Sequence, residues 1–194
     1  MNAPRRVRGF TLIELMVSLA ITASLLLLGM PAYRGWVQGA RIKSVAEGVH
    51  AGLQKARAEA IRRNAPVTLR LVPDSAGGAS WSLLAAASTL TDTAATATSL
   101  VDGVSAGLGE RVPVQVLVSS QTSSPGSPGT APVPVDFTFG GLGQLTSTTT
   151  MRRIDFVSVL PDVDKRYAIL LSTAGGPRLC NPGVTRAANV QGCL

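Results

Sequence analysis

Histidine occurs once in these 194 residues, cysteine twice, and aromatic side chains make up 4% of the chain. Each shortage removes a class of chemistry. A Ser-His-Asp or Cys-His arrangement has only His50 to draw on, and helical spacing puts it beside Val49 on a docking helix, where a packed or solvated side chain is expected rather than a base. Two thiols near the C-terminus and one distant imidazole fall short of a zinc set. Asp162 and Asp164 are flanked by Lys165 and Arg166, a poor basis for a calcium loop. No metal, no cofactor and no catalytic residue is expected, and the chain reads as a non-enzyme. Gly140-Gly141-Leu142-Gly143 is followed by no Lys-Ser/Thr pair, so it reads as a turn and not a phosphate loop. With so few aromatics, a core has to be built from Val, Leu, Ile and Ala.

Acids are few as well, 11 against 18 lysines and arginines, for a formal charge of +7. The excess is local. Without Arg5, Arg6 and Arg8 the charge falls from +7 to +4, and Arg34 to Arg63 holds seven bases against Glu47 and Glu59. From Val67 onward eight bases meet eight acids, so the globular part carries no general nucleic-acid signature.

Long apolar runs are absent, with one exception. Phe10 to Met30 is 21 residues long, and its one ionisable group is Glu14. About 20 apolar residues at 1.5 Å rise cross a hydrocarbon core of ~30 Å. An acid in such a span costs roughly 2.5–3.5 kcal/mol on insertion scales, so Glu14 is expected to have a function and a partner. The arginines before the span hold the N-terminus in the cytoplasm and send the bulk of the chain outward. A cleavable secretory signal needs small residues after its apolar core, whereas Gly9-Phe10 lies before it; the helix is therefore expected to stay in the mature protein.

Basic leader, Gly9, Phe10, Glu14 and Pro31 together resemble the class III leader and N-terminal helix of type IV pilins and type II secretion pseudopilins. The resemblance implies that a prepilin peptidase cuts between Gly9 and Phe10 and methylates the new N-terminus at Phe10. It also places the fifth mature residue, a glutamate, at Glu14. Cleavage would create a positive α-amine at Phe10, able to pair with Glu14 of a neighbouring subunit as helices stack.

After Pro31 the helical period resumes, with Ile42, Val45, Val49, Leu53, Ala56 and Ala60 on one face and charged residues on the others. Asn64-Ala65-Pro66 is expected to end the helix. The period then changes to two, with strands expected at Val67 to Leu71, Ser80 to Ala85, Val112 to Val118, Val135 to Phe139, Arg153 to Val159 and Tyr167 to Ser172. Ala86 to Gly109 and Ser119 to Pro134, rich in small and turn-forming residues, read as long surface loops, with an added helix within Ala85 to Leu100 as the alternative. The organisation is therefore a leader (1–9), a transmembrane assembly helix (10–31), an amphipathic helix (32–65) and a β-rich head with a closed tail (66–194). The class is α+β, pilin-like: a long N-terminal helix packed on an antiparallel sheet.

The element order, with Phe137-Thr138-Phe139-Gly140-Gly141-Leu142-Gly143 and the tail Gly175-Gly176-Pro177-Arg178-Leu179-Cys180, resembles the GspH/FimT branch of minor pilins and pseudopilins. This implies a structural subunit of a type II secretion pseudopilus or type IV pilus, inserted into the filament or capping it. Its expected partners are the inner membrane, other pilin-like subunits and the prepilin peptidase, with the head in the periplasm. In an oxidising compartment Cys180 and Cys193 are expected to form a disulfide, free thiols being the alternative. A second function class follows from the same resemblance, because FimT-type members use tail arginines in DNA uptake. Here Arg178 and Arg186, with Arg152 and Arg153 as neighbours, are the candidates for such a DNA contact.

Overall fold

The computed structural model describes residues 10–73, 79–86, 98–104, 114–119, 129, 131–146, 151–160 and 164–193. Two compact units divide the chain, residues 1–37 and 38–194. Helix α1 (Leu12–Arg63) supplies the described secondary structure of the first unit and one layer of the second.

In the second unit Ile42, Val45, Ala46, Val49, Leu53, Ala56 and Ala60 are fully buried, the stripe that a 3.6-residue period presents to one side. Two antiparallel sheets complete the unit. The first holds β1 (Val67–Pro73), β2 (Ala79–Ala86), β3 (Thr98–Val104) and β6 (Val135–Phe139) in the order β3-β2-β1-β6. The second holds β4 (Val114–Ser119), β5 (Ala131–Pro132), β7 (Arg153–Ser158), β8 (Arg166–Leu171) and β9 (Pro177–Cys180) in the order β5-β4-β7-β8-β9.

Register explains how these strands share a core. Leu69 lies opposite both Leu83 and Phe137, and Val67 opposite both Ala85 and Phe139, so one face of the first sheet is apolar across three strands. In the second sheet Val118, Ile154 and Ile169 form a similar row. Both faces meet the helix stripe in one contiguous cluster. Three of the four phenylalanines, Phe137, Phe139 and Phe156, are among its largest fully buried side chains. Each such burial is worth roughly 1.5–3 kcal/mol, so a handful of rings does much of what a richer aromatic content would. Gly52 lets the helix approach closely: a Cβ there would lie 2.7 Å from the Trp81 ring.

The structure departs from the sequence expectations in definite places. Two sheets stand where a single one was expected. Strand β3 falls inside the stretch expected to be loop, and residues 85–86 and 98–100 are strand, against the alternative of a helix there; residues 87–97 lie outside the described residues. A register shift hides β3 from a period-two search, because Leu83 pairs with Asp102 and Leu84 with Leu100, leaving Val101 as the extra residue of a bulge. Strand β9 was missed because it is only four residues long and opens on Pro177, a residue tolerated at a strand's start. The C-terminal stop of α1 is as expected: the helix ends at Arg63, and Asn64 takes a φ of 49°.

At that helix end Glu59 accepts hydrogen bonds from Arg62 at 2.8 and 2.6 Å and from Arg63 at 2.6 Å. These bonds, Arg62's first, bring its carboxyl from 4.5 down to about 2. A depressed folded-state pKa adds stability that is present above the ordinary value and lost as pH falls through the folded one. Carboxyl-carbon NMR should therefore show Glu59 titrating near pH 2. A midpoint near 4.5 would mean that the three side chains do not hold together in solution.

Candidate assembly surface and tail

The first unit presents an apolar cylinder whose side chains are exposed on all sides, including Leu12, Ile13, Leu15, Leu19, Ile21, Leu25 and Leu28. A helix apolar all round is suited to lipid or to a bundle of like helices. Leu12–Met30 is long and apolar enough to cross a membrane. Its hydroxyls are satisfied from within: Ser18 donates to the Leu15 carbonyl at 2.9 Å, Thr22 to Ser18 at 2.8 Å and Ser24 to Ala20 at 2.8 Å. In hydrocarbon such back-bonding removes the cost of an unmet hydroxyl. Glu14 is left as the charged group of the span.

Local structure favours a carboxylate at that position. Thr11 precedes the helix, and its Oγ1 accepts the Glu14 backbone N–H at 3.3 Å. Thr11-Leu12-Ile13-Glu14 has the spacing of a capping box, and a carboxylate in the first turn meets the positive end of the helix dipole. Phe10 stands just ahead, 84% exposed. Gly9 lies outside the described residues.

In the second unit the tail is tied down by several independent contacts. Cys180, buried at the end of β9, is disulfide-bonded to Cys193. Asn181 donates its N–H to the Gln191 carbonyl at 2.7 Å and pairs with Gly192 in a parallel bridge. Arg178 donates Nη2 to the Gly192 carbonyl. Gly192 is buried where a Cβ would lie 2.5 Å from the Thr185 carbonyl carbon and 2.6 Å from the Arg186 nitrogen. Arg186 is exposed. His50, the lone histidine, is half-buried with Nε2 3.3 Å from the Pro177 carbonyl, so it packs helix against β9.

Of the arginines considered together in the sequence, Arg178 and Arg186 both lie at Gly192, whereas Arg153 is placed elsewhere. Arg153 is 3% exposed and donates Nε and Nη2 to Asp155 Oδ1 at 3.0 and 2.7 Å; Asp155 Oδ2 accepts the Gly129 N–H at 3.0 Å. Arg153 is thus a core ion-pair member and not part of a tail patch. This pair was not foreseen, since nothing in Arg153-Ile154-Asp155 distinguishes a buried from a solvated i, i+2 pair. A second unforeseen feature joins three segments. Gly143 is buried with a φ of 77°, and its carbonyl accepts Arg57 Nε at 3.1 Å. The turn around Gly175, with a φ of 78°, packs onto it, and the Leu145 N–H reaches the Thr173 carbonyl at 3.2 Å. Helix end, β6 turn and β8–β9 turn therefore meet at two glycines.

Comparison with known proteins adds the following. Residues 4–30 match the prokaryotic N-terminal methylation motif, and residues 45–175 match the type II transport protein GspH model. Similar solved structures include the type IV minor pilin FimU of Pseudomonas aeruginosa strain PAO1, 19% identical with a TM-score of 0.46, covering 74% of this chain and 90% of that one. A second FimU crystal form from the same organism is 18% identical with a TM-score of 0.44, covering 73% of this chain and 94% of that one. The curated proteins include no match to this chain.

Proposed function

The chain belongs to the type II transport protein GspH family, and from that premise we propose how its N-terminus serves assembly. The family is one of minor pilins and pseudopilins, structural subunits of a filament. In this reading prepilin peptidase cuts between Gly9 and Phe10, Phe10 becomes the N-methylated first residue, and Glu14 pairs with the α-amine of an adjacent subunit. The observation that carries it is Glu14 itself, a single carboxylate in the capped first turn of a helix apolar on every side, one turn after Phe10. Before assembly the subunit is an inner-membrane protein with its N-terminus cytoplasmic and its head periplasmic. It acts through binding and catalyses no reaction. The alternative of DNA uptake through tail arginines is not supported: Arg153 is buried against Asp155, which leaves only Arg178, partly engaged by the Gly192 carbonyl, and the exposed Arg186.

Glu14→Ala is expected to fractionate with the inner membrane as wild type does. It is also expected to co-purify with partner subunits on the order of tenfold less or worse, since a lost charge pair worth more than about 1.4 kcal/mol changes an equilibrium by that factor. Unchanged co-purification would remove the charge-pairing role. Mass spectrometry of the mature N-terminal peptide checks the processing step independently, and a chain beginning anywhere but methylated Phe10 rejects it.

A further inference from the structure

Immediately beyond the apolar span the helix carries two large aromatic side chains that the assembly role does not use. Tyr33 and Trp36 are 65% and 70% exposed, and their rings sit 6.3 Å apart on one side of the helix. Between them in sequence Arg34 is exposed, its Nη2 lying 3.5 Å from Met30 Sδ, so the guanidinium folds back along the span. Packing in the first unit leaves all three uncovered. We propose that Tyr33, Arg34 and Trp36 form an interfacial anchor that docks in the headgroup layer of the phospholipid bilayer and sets the depth of the span. This rests on the reading of Leu12–Met30 as membrane-spanning.

Geometry supports the occupant. At 1.5 Å per residue Tyr33 lies about 4.5 Å and Trp36 about 9 Å past Met30, and helix side chains lean toward the N-terminus, which draws both rings back toward the span. The polar layer on each side of a ~30 Å hydrocarbon core is several ångströms thick, so both rings fall within it when Met30 sits at the core boundary. Their chemistry matches as well. Tyrosine and tryptophan pair an apolar ring with one polar tip, the combination enriched at membrane–water interfaces, and an arginine beside them meets lipid phosphate. Anchoring at this end also fixes the other. Glu14 lies 16 residues before Met30, about 24 Å along the axis, and so sits inside the cytoplasmic boundary of the core instead of at its centre.

The full-length chain, reconstituted into phosphatidylethanolamine–phosphatidylglycerol vesicles, tests this. Trp81→Phe leaves Trp36 as the lone tryptophan, since the chain has two. Lipids brominated near the headgroup end of the acyl chain should quench its emission at least about twofold more strongly than lipids brominated near the bilayer centre, as an interfacial ring requires. Aqueous iodide should quench it weakly. Should Trp81→Phe fail to fold, Trp36→Phe in the otherwise unchanged chain serves instead, and it should abolish the component quenched by shallow bromines. Emission open to iodide and indifferent to either brominated lipid, in a chain that floats with the vesicles, overturns the anchor and leaves the span standing. A chain that does not float overturns both.

Discussion

Asp155→Ala is expected to lower the unfolding free energy by about 3–5 kcal/mol, the usual cost of removing one partner from a buried ion pair. The carboxylate is fully buried; it accepts two bonds from Arg153 and one from the Gly129 backbone. Its loss takes the carboxylate away from a guanidinium that is 3% exposed and leaves the Gly129 N–H without its acceptor. A domain whose whole stability is of order 5–15 kcal/mol feels such a change strongly. Replacing both charges, Arg153→Met with Asp155→Leu, should recover part of the loss, because neither charge of this pair then stays buried without the other. Urea unfolding in detergent, followed through the buried Trp81, measures all three chains. A cost under about 1 kcal/mol for Asp155→Ala would show that water or another group satisfies Arg153.

Gly175→Ala comes next in expected effect. A Cβ at this position would overlap the carbonyl oxygen of Gly143, and the φ of 78° is one that residues with a Cβ seldom adopt. The left-handed backbone costs about 1–2 kcal/mol and the overlap about 1–3 more, so a loss of roughly 2–5 kcal/mol is expected. Gly176→Ala is the control. Its Cβ would meet nothing closer than Ser172 Oγ at 3.4 Å, and a change within about 1 kcal/mol is expected there. Equal losses at the two positions would show that the turn, and not its seat on Gly143, sets the cost. Because the junction joins both sheets to the helix, Gly175→Ala should broaden the unfolding transition as well as shift it.

These two sites mark where reading the chain alone runs out. The helix stripe from Ile42 to Ala60, the alternation of Val67, Leu69 and Leu71 and the stop at Asn64-Ala65-Pro66 were legible because each is a local pattern with a single period. Two sheets, the bulged β3 and the short β9 were not, since pairing is decided between segments far apart in sequence. The glycines at 143 and 175 could be read as turn residues, but their contact with each other has no local signature. Charge posed the same difficulty. Arg153 and Arg178 looked like members of one basic surface, while tertiary structure gives each a different acceptor. At the N-terminus Glu14 could be singled out directly, because a solitary acid in an apolar run is a violation visible without any fold.

Strand order has a kinetic consequence. Strand β6 lies beside β1, so Arg70 meets Asp136 across 66 residues, and His50 on the helix meets Pro177 across 127. Contacts this distant raise the contact order, and domains dominated by them fold in roughly milliseconds to seconds, whereas local helical ones take microseconds. The amphipathic stripe of α1 needs only local contacts to form, whereas its burial needs β6, β8 and β9, all from the later half of the chain, so burial is expected to lag behind helix formation. Throughout that delay its apolar face and the open edge of β1 are unprotected, and a nearby copy of the same chain at the same stage is the most available wrong partner.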